Sequence, residues 1–202
     1  VIDTTTWASV GVMEGHTSFV HQLLVREGKL FSCSYDNTLK TRSTGEGRAC
    51  EQTMEGHTGG VCTIAMCGDK LVSGSDDFTM FLWKPESEKT SHARLTGHQQ
   101  LVNHVQFSPD GRLLASASFD KSLRVWCGKS GRFLFVLRGH VQSVYQLSWS
   151  GDSRMLVSGS AGSTLAGRLA EAGHSVLLLE AGGPAPAIAY IPGKYQHSAN
   201  SL

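Results

Sequence analysis

Histidine, serine and aspartate stand in the same order three times in this chain, and together they are the side chains of a nucleophilic hydrolase. His16, Ser32 and Asp36 make one set, His57, Ser73 and Asp77 a second, and His98, Ser116 and Asp120 a third. A serine hydroxyl beside an imidazole that a carboxylate orients can attack an acyl carbon. One such set is enough for catalysis, however, and these return in register. His16, His57, His98 and His140 each follow a glycine and lie 41, 41 and 42 residues apart. Each aspartate follows its serine by four residues, and Trp83 and Trp126 follow the second and third aspartates by six. Recurrence at a fixed period marks a repeated structural unit, so the trio reads as a brace inside each unit, with no reactive role. The same spacing argues against a metal centre. Most of the nine histidines are a full repeat apart, and zinc sites need paired ligands at short separation.

The elements that must hold these residues are short strands. In the third unit, residues 101–107 read as one strand, followed by the turn Ser108-Pro109-Asp110-Gly111. Residues 113–116, 122–126 and 133–137 supply three more, alternating or continuously apolar as half-buried and buried strands are. Four strands per period of about 40 to 45 residues make one blade of a β-propeller. The 23 glycines suit the tight turns between them.

The pattern resembles the WD-repeat (WD40) family, in which the matching His, Ser, Asp and Trp form a buried hydrogen-bonded tetrad in each blade. The resemblance implies tetrads at His57, Ser73, Asp77 and Trp83, and at His98, Ser116, Asp120 and Trp126. The first unit keeps His16, Ser32 and Asp36 but has Arg42 at the tryptophan position, so its tetrad is expected to be weaker. The resemblance also implies a binding rim, built from residues just after each histidine and just before each aspartate. The matching positions are Phe19, His21, Tyr35, Asp76, Leu101, Asn103, Phe119, Ser143 and Tyr145.

Over residues 74–165 the wording narrows. Ser75-Asp-Asp-Phe-Thr-Met-Phe-Leu-Trp83, Leu95-Thr-Gly-His-Gln-Gln-Leu-Val-Asn-His104, Ala115-Ser-Ala-Ser-Phe-Asp-Lys-Ser122 and Leu137-Arg-Gly-His-Val-Gln-Ser-Val-Tyr145 resemble Notchless-type ribosome-assembly WD proteins. What that implies is a non-catalytic protein-interaction scaffold tied to assembly of the large ribosomal subunit, with proteins of pre-ribosomal particles as partners.

The fourth unit starts with His140, a strand over residues 144–149 and Ser158, then changes character. Gly162 stands where aspartate is due and Arg168 where tryptophan is due. Residues 163–172 carry apolar side chains at helical spacing and Gly173 suits a helix stop; residues 176–179 read as a strand that ends at Glu180. Strand, glycine turn, helix, strand and acid are the parts of a dinucleotide-binding unit. Residues 157–195 resemble the amino-terminal FAD-binding motif of the glucose-methanol-choline oxidoreductases. That resemblance implies that Gly159 and Gly162 approach the flavin pyrophosphate and that Glu180 binds the ribose. Val157 stands where the first glycine of the motif belongs. Three readings stay open for this segment: a cap on an unfinished blade, a fusion of unrelated pieces without function, or a fragment of a flavin enzyme.

The expected fold is thus all-β, a partial propeller of three full blades plus partial ones, with a short helix–strand appendage. Residues 1–14 are expected to end a preceding blade, with a strand over 8–13. Residues 15–160 hold the blades, 161–183 the appendage and 184–202 a flexible tail. Val1-Ile2-Asp3 reads as the middle of a blade, so the chain is expected to be a piece of a longer protein. An incomplete ring leaves edges through which copies are expected to associate.

Composition narrows the partners. Eighteen basic against seventeen acidic side chains leave a net charge of +1, too little to draw the chain to nucleic acid or a membrane surface. No apolar run reaches the roughly 20 residues of a membrane helix. Cys33, Cys50, Cys62, Cys67 and Cys127 are odd in number and lack CxxC spacing, which suits reduced thiols. An intracellular location, in cytoplasm, nucleus or nucleolus, is the expectation.

Overall fold

Alternating strands closed by Asp- and Gly-containing turns fold back on themselves as antiparallel hairpins. The computed structural model describes residues 1–2, 4–9, 11–45, 50–88, 90–159 and 189–190. The first sheet holds β1 (Val20–Arg26), β2 (Lys29–Ser34), β3 (Leu39–Ser43) and β4 (Cys50–Met54) in chain order. The second holds β5 (Val61–Cys67), β6 (Lys70–Ser75), β7 (Met80–Trp83) and β8 (Ala93–Leu95). The third holds β9 (Val102–Phe107), β10 (Leu113–Ser118), β11 (Ser122–Cys127) and β12 (Phe133–Arg138). In a fourth sheet β13 (Gln146–Trp149) and β14 (Met155–Gly159) are joined by the backbone of β15 (Ala189–Tyr190). Every pairing is antiparallel.

One sheet cannot bury two apolar faces alone, so the core lies between sheets. Phe31, Cys33, Leu39 and Met54 of the first blade pack with Val61, Ile64, Leu71, Phe81 and Trp83 of the second. Val72, Met80, Leu82 and Leu95 meet Val102, Val105, Phe107, Leu114 and Trp126 in the next seam. Ala115, Ala117, Leu123 and Val125 meet Val144, Leu147, Trp149 and Leu156 in the third. Close approach makes one glycine obligatory, because a Cβ on Gly74 would stand 2.8 Å from Val102 Cγ1.

Among the described residues of 8–13, no strand is formed where one is expected. Among the described residues there, only an isolated bridge joins Ile2 to Ser9, because a ladder needs a neighbouring strand to receive its backbone groups. The helix expected over 163–172, the strand over 176–179 and most of the tail lie outside the described residues. Among the described residues, no helix is long and apolar enough to cross a membrane.

Candidate functional site: the braced blades and their rim

Within the second blade, His57 Nδ1 lies 2.8 Å from Asp77 Oδ2, and His57 Nε2 lies 2.7 Å from Ser73 Oγ. Trp83 Nε1–H donates to the same serine oxygen at 2.9 Å. One proton assignment satisfies the whole chain: indole N–H to serine oxygen, serine O–H to Nε2, and Nδ1–H to carboxylate. The third blade repeats it, with His98 to Asp120 and to Ser116 at 2.8 Å each, and Trp126 Nε1 to Ser116 at 3.0 Å. Ser73 and Ser116 are 0% exposed, so no substrate carbon can reach either hydroxyl. These sets brace the fold.

Each aspartate clamps two loops at once. Asp77 Oδ2 also accepts the Thr58 amide, while Oδ1 accepts the amide and hydroxyl of Thr79. Burial pushes the Asp77 carboxyl up, but hydrogen bonds from His57, Thr79 and the Thr58 amide outweigh it and hold it well below the usual range. Asp120 is lowered likewise, burial being outweighed by His98, Ser122 and the Gln99 amide. In Asp36 the opposing donors are Thr38, His16 and the Thr17 amide. Burial also pushes the His98 imidazole down, against the pull of Asp120. The residue after each aspartate, Asn37, Phe78 or Lys121, has φ of 69°, 68° or 66°. The clamp holds that left-handed turn at a cost of about 1–3 kcal/mol.

In the first blade, His16 meets Asp36 at 2.7 Å and Ser32 at 2.8 Å. Arg42, in the register of the tryptophans, donates to the Glu14 carbonyl, so Ser32 lacks the indole partner that Ser73 and Ser116 have. In the fourth blade His140 Nε2 lies 2.8 Å from Ser158 Oγ; Gly162 and Arg168 lie outside the described residues.

Turns, loops and strand ends carry the rim residues in two groups, with His21 in β1 and Asn103 in β9. His21 and Tyr35 stack with centroids 4.9 Å apart. A hydrogen bond to Asp76 and the charge of that carboxylate push the Tyr35 hydroxyl up to about 12. Phe19 precedes this group, its carbonyl accepting the Tyr35 amide at 2.9 Å. In the second group, Phe119 and Tyr145 lie 5.0 Å apart. Asn103 Nδ2 donates to the Tyr145 carbonyl at 2.6 Å, Ser143 Oγ to the Phe119 carbonyl at 3.5 Å, and the Phe119 amide to Leu101 O at 3.0 Å. The first group straddles the seam between the first and second blades, the second group that between the third and fourth.

Sequence reasoning missed several of these parts. Ser34, Ser75 and Ser118 tie the loop before each blade, donating to Ser18, Gly59 and Gln100 carbonyls at 3.3, 2.9 and 3.1 Å. Their fixed position two residues before each aspartate was the available signal. Phe78, 46% exposed, directly follows Asp77, and the Cys62 thiol donates to Asp76 Oδ1 at 3.8 Å. Gly159 ends β14, is buried and pairs with Gln146, in the antiparallel setting of a blade. Gly162 and Glu180 lie outside the described residues. No group of three or more His, Cys, Asp or Glu side chains among the described residues could hold a metal ion.

Comparison with known proteins accords with this geometry. The model described as "WD domain, G-beta repeat" matches residues 7–41, 48–84, 89–127 and 131–166, more than half the chain. A Notchless protein homolog of Arabidopsis thaliana is 67% identical over 70 residues, covering 35% of this chain and 15% of that protein. Ribosome assembly protein 4 of Saccharomyces cerevisiae is 43% identical over 126 residues, 62% of this chain and 24% of that protein. Nuclear distribution protein PAC1 of Arthroderma benhamiae is 37% identical over 119 residues, 53% of this chain and 26% of that protein. The chain thus spans about a quarter or less of the length of these relatives.

Proposed function

The chain belongs to the WD-repeat family, and on that footing we propose that it is a non-catalytic scaffold that holds protein partners at its rim during ribosome assembly. The carrying observation is the pair of aromatic groups beside blade seams, His21 with Tyr35 within the first blade and Phe119 with Tyr145 across the third and fourth. Tyrosine and phenylalanine bring large contact area with few rotatable bonds, which suits the anchor positions of an interface. Hydrogen bonds from Asn103 and Ser143 fix the second group before any partner arrives, so little ordering cost remains for binding.

The relatives named for Notchless and ribosome assembly support proteins of pre-ribosomal particles as those partners, and the large subunit is the finer part of the proposal. They support nucleus, nucleolus or cytoplasm as the place. With a net charge of +1 and Asp76 on the rim, direct binding to nucleic acid is not part of the proposal.

The test is Phe119→Ala, on the turn after β10, combined with Tyr145→Ala, in the connection before β13, with folding checked by circular dichroism. Recovery of ribosomal-particle proteins in pull-downs and gradient co-sedimentation is expected to fall on the order of tenfold or more. Undiminished recovery with the fold intact rejects the rim.

A further inference from the structure

Every blade has two strand edges, and the chain treats them differently. On the inner strands β5, β9 and β13 the edge is tied by a side chain from the preceding blade. Gln22 Oε1 takes the Ile64 N–H at 2.8 Å, Thr63 Oγ1 the Val105 N–H at 3.3 Å, and His104 Nδ1 the Leu147 N–H at 3.3 Å. The outermost strands have no such cover: among the described residues β4, β8 and β12 each pair on one side only. A row of unpaired N–H and C=O groups is a template for another strand.

Of the three, β12 is the strongest template. β8 has three residues, and β4 carries Glu51, which Lys29 holds at 3.8 Å. β12 has six, of which the first five are apolar, and its blade is packed by a neighbour on either face. Unpaired positive charge frames it. Arg124 stands opposite Val136 in the ladder and Arg138 lies two residues further on, so the two arginines share one face. The Arg124 guanidinium lies over the Phe133 ring, 5.4 Å from its centroid, and that phenylalanine is 43% exposed. Among the described residues, Arg124 Nε is buried with no hydrogen-bond partner, and no carboxylate forms an ion pair with Arg124, Arg132 or Arg138. Burial has stripped water from the Arg124 cation without supplying an anion, a cost that an arriving carboxylate offsets.

We propose that β12 receives an extended acidic segment of a partner protein, which adds a strand to the third blade and sets carboxylates against Arg124 and Arg138. Alternate side chains of an added strand lie on one face. A segment with an acid at every second position therefore meets both arginines while its backbone pairs with β12. A second copy of this chain is the poorer occupant. Two β12 strands side by side bring Arg138 against Arg138 when parallel. When antiparallel they bring it against the Phe133 end, where Arg124 and Arg132 lie, and like charges so placed are unfavourable. Nucleic acid is poorer as well, because five consecutive apolar residues offer its phosphates no partner. The inference stands apart from the rim reading and uses none of the rim residues.

The experiment is fluorescence anisotropy with the full chain and a labelled peptide of about seven residues in which valine and glutamate alternate. The peptide is expected to bind at submillimolar concentration, and its counterpart with glutamine for glutamate on the order of tenfold more weakly. Arg124→Gln and Arg138→Gln are each expected to weaken the glutamate peptide by a similar factor and to leave the glutamine peptide unchanged. Arg138 is exposed, so its variant reports even if Arg124→Gln unfolds the blade. A glutamate peptide N-methylated at every residue keeps its charges but loses its backbone donors, and is expected not to bind. Equal binding of the glutamate and glutamine peptides, binding that survives N-methylation, or no binding at millimolar peptide overturns the proposal. So does an oligouridylate that displaces the peptide and loses its own affinity in both arginine variants, which makes the face a phosphate site. The Phe119→Ala, Tyr145→Ala chain should bind the peptide as the parent does, so the two readings fail separately.

Discussion

Ser73→Ala is the most direct test of the brace. The hydroxyl is 0% exposed, and it joins Trp83 Nε1, 2.9 Å away, to His57 Nε2, 2.7 Å away. Removing it leaves a buried indole donor and a buried imidazole acceptor without partners, and the space vacated is too small to admit water. Each orphaned group costs about 1–3 kcal/mol, so the expected loss is about 2–6 kcal/mol. In a chain of this size that lowers Tm by about 4–24 °C. Ser32→Ala in the first blade is the internal control. Ser32 touches His16 at 2.8 Å but receives no indole, because Arg42 donates instead to the Glu14 carbonyl. Only one group is orphaned there, so the loss should be smaller by about 1–3 kcal/mol. Urea denaturation followed by far-ultraviolet circular dichroism and tryptophan fluorescence measures both, with unchanged m-values required for the comparison. If Ser32→Ala costs as much as Ser73→Ala, or if Ser73→Ala costs less than about 0.5 kcal/mol, the tetrad is not the brace described here.

Acid should weaken the blades in two stages. Asp36, Asp77 and Asp120 hold folded-state values below their ordinary one, so their contribution is full above about pH 4 and is lost as the pH falls further. His104, pushed by burial down to about 4, and His98, also lowered by burial, resist protonation in the fold. Their contribution therefore starts to fade as the pH drops below about 6.5. His104→Gln keeps an acceptor for the Leu147 amide, as Gln22 does for Ile64, and is expected to flatten the fall of Tm between about pH 6.5 and 4; an unaltered slope excludes His104 as a source. Gly74→Ala places a methyl 2.8 Å from Val102 Cγ1 and 2.9 Å from Thr63 Cγ2, and should cost about 1–3 kcal/mol by overpacking the second seam. A chemical-denaturation midpoint equal to that of the parent shows that seam to be slack.

The tetrads were legible because their chemistry is strict. A buried imidazole tolerates few partners, so His, Ser, Asp and Trp return at fixed spacing wherever the brace is built, and Arg42 shows itself as the exception. The coupling between blades was not legible. Gln22, Thr63 and His104 do the same work in the same register with an amide, a hydroxyl and an imidazole, because any acceptor of suitable reach satisfies a backbone N–H. Residues 8–13 erred in the other direction. Their composition suits a strand, but a strand forms only where a neighbour receives its backbone groups, and composition says nothing about neighbours.

From the sequence alone came the period, the strand order within each blade and the braces, all of which depend on residues close in the chain or on demanding buried chemistry. Tertiary structure decided which faces meet across the seams, and that Tyr35 pairs with Asp76 and Phe119 with Tyr145. Those outcomes follow from how the sheets stack on one another. Stacking depends on summed contacts between residues some forty positions apart, and no single residue type announces them.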